Sequence, residues 1–250
     1  MHQNIIAILL IEHDLLRFYL TVVLATLLLS QGIAIYRTWN KAFLSIDPFR
    51  TAVHETGHLL AAWSSSETED ISATIVPRSN PEDHFLWKLV RGSAGQVCWH
   101  WRGSFSTTYT WWANLVISLA GAAAESQIYG TINPRGLRSD RQMARESTRV
   151  LLKYGETIPP WSTTLELDPA SRAAFDTILC QGLTEPEKEL MRCGYVMAHQ
   201  LLFAHSKNFN RIISLLVDKR NLTEQDVEPI LGPRCFIKLE PGPFVLDEAA

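Results

Sequence analysis

His54-Glu55-Thr56-Gly57-His58 is the stretch of this chain whose residue types and spacing could do chemistry. Residues four apart share a helix face, so His54 and His58 can direct their imidazoles at one metal ion, with Glu55 beside them as a base toward water. Two histidines and a glutamate in this HExxH spacing are suited to zinc-assisted hydrolysis. A catalytic zinc takes a third protein ligand and leaves one position open. Downstream candidates are His84, His100, Glu125, Asp140, His199 and His205. Glu125 follows a run of small residues on a predicted helix that could lie against the HETGH segment. Asp140 opens a helix after a turn, where a carboxylate can be aimed into a cleft. Residue chemistry leaves both open. For His199 and His205, in a C-terminal helical region, packed or surface histidines are the simpler reading.

The motif needs a helix, and its flanks supply one. Asp47-Pro48 predicts an N-cap followed by proline in the first turn. Phe49, Ala52, Val53, Leu59, Leu60, Ala61 and Trp63 make the remainder apolar, with Gly57 the one breaker. Further on, Ile71 to Val76 alternates, is β-prone and stops at Pro77, which predicts a short strand at a sheet edge. Phe85 to Val90 is a second strand candidate, and residues 78 to 84 and 91 to 107 read as loops. Tyr109 to Tyr129 predicts a long apolar helix whose Ala120-Gly121-Ala122-Ala123-Ala124 run permits close approach of a neighbour. Ser139, with Gln142 three residues on, predicts a cap for a helix from Asp140 to Tyr154. Asp168-Pro169 opens a short helix ending near Gly182. Thr184 with Glu187 forms a capping box for a helix to about His205. Two more helices are expected, Asn208 to Asp218 and Thr223 to Ile230. The fold class is therefore mainly α with a small β-sheet.

The chain has 250 residues and 46% hydrophobic content, enough for one large domain with appendages. A formal net charge of −3 gives no bulk attraction to nucleic acid, and nothing in the sequence points to a basic groove. Cys98, Cys180, Cys193 and Cys235 fit neither a CxxC pattern nor a dense disulfide framework, which points to a reducing compartment. Four tryptophans, Trp99, Trp101, Trp111 and Trp112, fall close together and suit a core or a membrane interface.

Phe18 to Tyr36 contains no charged residue. As a helix it would span about 28 Å, close to bilayer hydrocarbon thickness. No basic n-region precedes it, so a membrane anchor is expected rather than a cleaved signal. Arg37, Lys41 and Arg50 follow it, which by the positive-inside rule puts the rest of the chain in the cytoplasm. The expected organisation is an anchor segment over 1–40, with a transmembrane helix about 18–36, a catalytic domain over 41–232 and an irregular tail over 233–250.

Several ordered segments together resemble the peptidase domain of the FtsH-type ATP-dependent zinc metalloproteases. HETGH stands where that family has HEAGH. Ala73-Thr74-Ile75-Val76-Pro77-Arg78 is similar to its VTIIPRG strand. Leu119 to Glu125, with Ile128-Tyr129-Gly130, is similar to LGGRAAEEIIFG. Gly136 to Asp140 and Arg149 to Gly155 are similar to TGASNDL and MVTEYG. The resemblance runs in order over roughly residues 45 to 231. It implies an FtsH-like zinc metallopeptidase fold in which Asp140, matching the family's SND aspartate, joins His54 and His58 on the metal while Glu55 is catalytic. Glu125 matches the family's AAE glutamate, which implies a supporting role, with ligation as the alternative. Ser126 and Ala122 depart from the family's second glutamate and its arginine.

The family's ATPase module is absent from the residues before the motif, and no GxxxxGK[ST] occurs. The resemblance thus implies a zinc-dependent metalloendopeptidase acting on unfolded or short polypeptides, ATP-independent by itself and membrane-bound. Its assemblies would be a homo-oligomer or a complex with a separate ATPase partner. The alternative is a non-catalytic membrane-bound regulatory or adaptor protein that keeps the fold.

Overall fold

The computed structural model describes residues 19–33, 47–76, 95–102, 107–134, 136–154 and 167–234. By its contacts the chain divides into two units, Met1–Ile46 and Asp47–Ala250. In the first unit, residues 19–33 are helical and every one of their side chains is exposed, Leu24, Leu27, Leu28 and Leu29 among them. Those residues span about 22 Å at the helical rise; residues 18 and 34–36 of the expected 18–36 span lie outside the described residues. No helix among the described residues is long and apolar enough to cross a membrane.

The second unit is mainly helical. Helix α1, Pro48–Trp63, starts as its sequence dictates: the Asp47 carboxylate accepts from the Phe49 amide at 2.9 Å, and Pro48 occupies the first turn. From Thr51 to Trp63 every residue of α1 is buried. Helix α2, Thr108–Tyr129, is capped by Thr107 and buried from Trp112 to Ser126 on all sides, as expected of a helix apolar around its circumference. It ends at Gly130, whose φ of 64° is the left-handed conformation that glycine supplies cheaply. α1 and α2 lie very close where Gly57 faces Ala120 and Ala124. A Cβ on Gly57 would stand 2.8 Å from the Ala124 methyl.

Helix α3, Arg138–Lys153, packs on α2 through Ala144, Ser147, Thr148 and Leu151. It begins two residues earlier than its Ser139 signal predicts. Ser139 lies inside the first turn with its hydroxyl 3.4 Å from Asp140 Oδ1, and the cap position is Leu137. Helix α4, Pro169–Ala174, is capped by Asp168 and widens into a turn of i→i+5 bonds over Phe175–Leu179. Helices α5, Glu185–Ala204, α6, Ser206–Lys219, and α7, Glu224–Leu231, follow. The Thr184/Glu187 box opens α5, and a second box, Thr223 with Asp226, opens α7.

The sheet has three strands in the order β2-β1-β3, with β1 at Thr68–Thr74, β2 at Gln96–Trp101 and β3 at Asn221–Thr223. Both pairings are antiparallel. β1 is thus the central strand, ends two residues before Val76, and is not an edge. β3 reaches it because Arg220, at φ 62°, turns the chain out of α6. A bulge between Glu69 and Ser72, with Asp70 at φ 50°, twists β1 so that Ile71 and Ala73 face the core. Residues 96–101, expected as loop, form β2, because β1 offers them a partner that local sequence does not reveal: the pairing joins Thr68 to Trp101 and Thr74 to Gln96. The expected strand at 85–90 lies outside the described residues, as does the tail from 235. Arg234 donates to the carbonyls of Ala62 and Ser65 at 3.1 and 3.2 Å, closing the far end of α1.

Candidate metal centre

α1 presents His54 and His58 toward α2, and the first turn of α3 brings Asp140 to meet them. His54 Nε2 lies 3.0 Å from His58 Nε2 and 3.0 Å from Asp140 Oδ2, and His58 Nε2 lies 3.3 Å from the same oxygen. All three residues are buried. Among the described residues this is the group of His, Cys, Asp or Glu side chains that could hold a metal ion.

The hydrogen bonds behind the rings fix where their lone pairs point. His58 Nδ1 is 2.7 Å from the Ile117 carbonyl oxygen, which can only accept, so the proton sits on Nδ1. His54 Nδ1 is 2.9 Å from Glu125 Oε1 and donates to it in the same way. In the neutral rings both Nε2 atoms then carry lone pairs aimed at each other and at a carboxylate oxygen. Three acceptors in van der Waals contact repel unless a cation lies among them. The triangle they form is close in size to the face of a tetrahedral zinc site, whose edges are about 3.3–3.4 Å for ligand bonds of about 2.0–2.1 Å. Two imidazoles and one carboxylate also suit zinc chemically.

Without a metal the same arrangement favours a proton. Burial alone would lower His54, but its hydrogen bonds to Asp140 and Glu125 outweigh that and raise it to about 10. Burial would raise Asp140, but the charges and hydrogen bonds of His58 and His54 hold its carboxyl well below the usual range. Metal ligation requires displacing that proton.

Glu125 is placed behind His54, on the Nδ1 side, away from the point where the three donor atoms meet. Arg50 Nε donates to its Oε2 at 2.8 Å, and the Asn133 amide donates to the same oxygen at 2.8 Å. Burial pushes the Glu125 carboxyl up, but His54, Arg50 and Asn133 together hold it below the ordinary value. Arg50 also donates to the Thr131 carbonyl and lies over the Tyr129 ring at 4.8 Å. Its role was not foreseen from the sequence, although Arg50 stands four residues before His54 and therefore on the same face of α1.

Glu55 is buried beside the cluster and accepts no hydrogen bond among the described residues. Burial raises its carboxyl, with His54 and His58 opposing and Asp140 and Glu125 adding to the shift. Gly95, just ahead of β2, lies against it: a Cβ there would stand 2.6 Å from Glu55 Oε1. Gly121 of α2 faces the histidines, and a Cβ on it would stand 2.5 Å from His58 Nε2 and 2.7 Å from His54 Nε2. Two glycines thus keep the space around the base and the donor atoms clear of side chains.

The other candidates lie elsewhere. His100 is exposed on β2, 3.3 Å from Asp70. His199 packs beside Ser126 at 3.2 Å and His205 beside Ser64 at 2.9 Å. His84 lies outside the described residues.

No family model matches the chain. Among curated proteins it is 24% identical over 198 residues to a mitochondrial inner membrane m-AAA protease component of Schizosaccharomyces pombe, covering 74% of this chain and 23% of that protein. It is 27% identical over 194 residues to an ATP-dependent zinc metalloprotease FtsH of Neorickettsia risticii, covering 75% and 29%. With a mitochondrial ATP-dependent zinc metalloprotease FTSH 3 of Oryza sativa it shares 23% identity over 207 residues, covering 81% and 24%. The chain spans about a quarter of the length of these curated relatives.

Proposed function

We propose that this chain, a relative of the FtsH-type zinc metalloproteases over about three quarters of its length, is itself a zinc-dependent metalloendopeptidase. The observation that carries this reading is the convergence of His54 Nε2, His58 Nε2 and Asp140 Oδ2, with both Nδ1 protons tied to acceptors behind the rings. His54, His58 and Asp140 would hold zinc, and Glu125, held in turn by Arg50 and Asn133, would fix the orientation of His54. When bound, zinc lowers the pKa of water and polarises the scissile carbonyl. Glu55 takes the proton of the attacking water on its carboxylate and delivers it to the leaving amine nitrogen. Its burial and its raised proton affinity suit a group that must both accept and return a proton near neutral pH.

An extended polypeptide would reach this site along β2. Over Ser72–Thr74, β1 is paired on both sides, so β1 is not the strand to receive it; β2 runs beside the site, and Gly95 just ahead of it touches Glu55. The 250 residues contain no phosphate-binding GxxxxGK[ST] loop, which supports cleavage of short or unfolded polypeptides without ATP. Unfolding of folded substrates would fall to an ATPase outside these 250 residues. The exposed leucines of residues 19–33 support attachment to a membrane by the N-terminal unit, with the basic residues after it on the cytoplasmic side.

The test is hydrolysis of fluorogenic peptides and casein by the purified full chain, with zinc, with chelator, and with ATP. Zinc-dependent cleavage unaffected by ATP is expected. A chain that binds zinc and cleaves nothing would overturn the reading in favour of a non-catalytic role.

A further inference from the structure

The sequence gives no hint of a basic groove, yet the structure contains one. Helix α3 lines a groove of about 760 Å³ with Arg138, Arg141, Arg145 and Arg149. Their spacing of three, four and four residues keeps them on one face for about 16 Å of helix. That face is turned away from the side of α3 that carries Asp140, so the groove is separate from the metal centre. Glu146 is the acidic residue of the lining, leaving four arginines against one carboxylate.

The internal partners of the row neutralise one of its four charges. Arg141 and Arg145 both donate to the carbonyl oxygen of Gln181, a neutral group. Arg149 pairs with Glu187 at 3.2 Å, which leaves the other three arginines of the row without an ion pair among the described residues. Arg138 makes no ion pair among the described residues. Buried Nε atoms of Arg141 and Arg145 have no hydrogen-bond partner. Burial, and then the neighbouring charges of Arg141 and Arg149, hold the Arg145 guanidinium below its ordinary range, as expected of cations crowded together.

Leu137, Val150 and Ile178 stand beside the arginines in the same groove. We propose that this groove is a docking site for an acidic amphipathic helix of a partner polypeptide, its carboxylates on the arginine row and its apolar side chains on Val150 and Ile178. Arginine forks match carboxylates in pairs, and a three-turn occupant with acids every three or four residues would follow the same periodicity. A nucleic acid would find no aromatic side chain in the lining to stack on.

The experiment uses the full chain carrying Glu55→Gln, so that the probe is not consumed, and reads fluorescence anisotropy. The probe is a labelled helical peptide of about 14 residues with glutamates every three or four positions and leucines alongside. Binding that weakens with added salt is expected, with at least a roughly tenfold loss in Arg138→Glu/Arg149→Gln. Arg138→Lys/Arg149→Lys should retain most of the affinity, and circular dichroism should show each variant folded. A lysine-for-glutamate peptide should not bind. The proposal is overturned by absent binding, by equal binding of the lysine peptide, or by undiminished binding to the folded charge-reversal variant. Tighter binding of oligothymidylate or phosphatidylserine vesicles through the same arginines would overturn the occupant. None of these outcomes depends on peptidase activity.

Discussion

Glu125 Oε1 stands 2.9 Å from His54 Nδ1, while Asp140 Oδ2 stands 3.0 Å from His54 Nε2. The imidazole is gripped from both sides by carboxylates in different positions: one holds the ring, the other shares its metal-facing nitrogen. Asp140→Asn should therefore reduce zinc retention more than Glu125→Gln. Loss of a supporting partner typically costs about 10–100-fold in metal affinity. Zinc per chain after dialysis against graded chelator is the measurement; the reverse order would exchange the two roles.

Glu55→Gln should lower peptide hydrolysis by about two to four orders of magnitude, as removal of a general base does, and leave zinc content unchanged. Paired activity and metal assays on the purified variant check this. Near-normal turnover would remove Glu55 from the mechanism.

Gly121→Ala places a methyl 2.5 Å from His58 Nε2. The rings must turn or α2 must retreat. The expected result is loss of most bound zinc from a chain that still shows native helicity. Full zinc occupancy would show that the rings can be displaced without consequence.

His199 gives the second unit an acid limit away from the metal centre. Burial depresses it to about 4 from an ordinary 6.5. A depressed value means that the folded state prefers the neutral ring. Its stabilising contribution is complete above about pH 6.5 and is lost as pH falls toward 4. Urea midpoints of wild type should fall over that window, and His199→Gln should fall less steeply. Equal slopes would show that His199 is not responsible.

What was legible in the sequence was mostly local. Asp47-Pro48, the Thr184/Glu187 box and the HETGH spacing each declare themselves within one helical turn, and each is found where expected. The zinc reading and the FtsH relationship also rest on such short ordered segments. β2 was missed because Gln96 to Trp101 becomes a strand through its partner, not through its own punctuation. β1 was placed at an edge because its second partner, β3, lies about 150 residues downstream, a separation visible in the Ile71–Glu224 hydrogen bond. Arg50 was overlooked because its importance depends on where Glu125 comes to rest. The arginine groove of α3 was not read from the sequence because a net charge of −3 averages it away and Ile178 joins it only through the fold.

The clamp of Arg234 on the end of α1 sets an order of events during synthesis. Ala62 and Arg234 are 172 residues apart, and the guanidinium also reaches Thr68 Oγ1 at 2.8 Å. A ribosome releases the helix that bears the histidines long before it releases the residue that locks that helix to the sheet. A nascent chain cut short before β3 and Arg234 lacks one flank of its sheet and the fastening of its histidine-bearing helix. Completion of nearly the whole second unit thus precedes the fastening of the helix that bears His54 and His58.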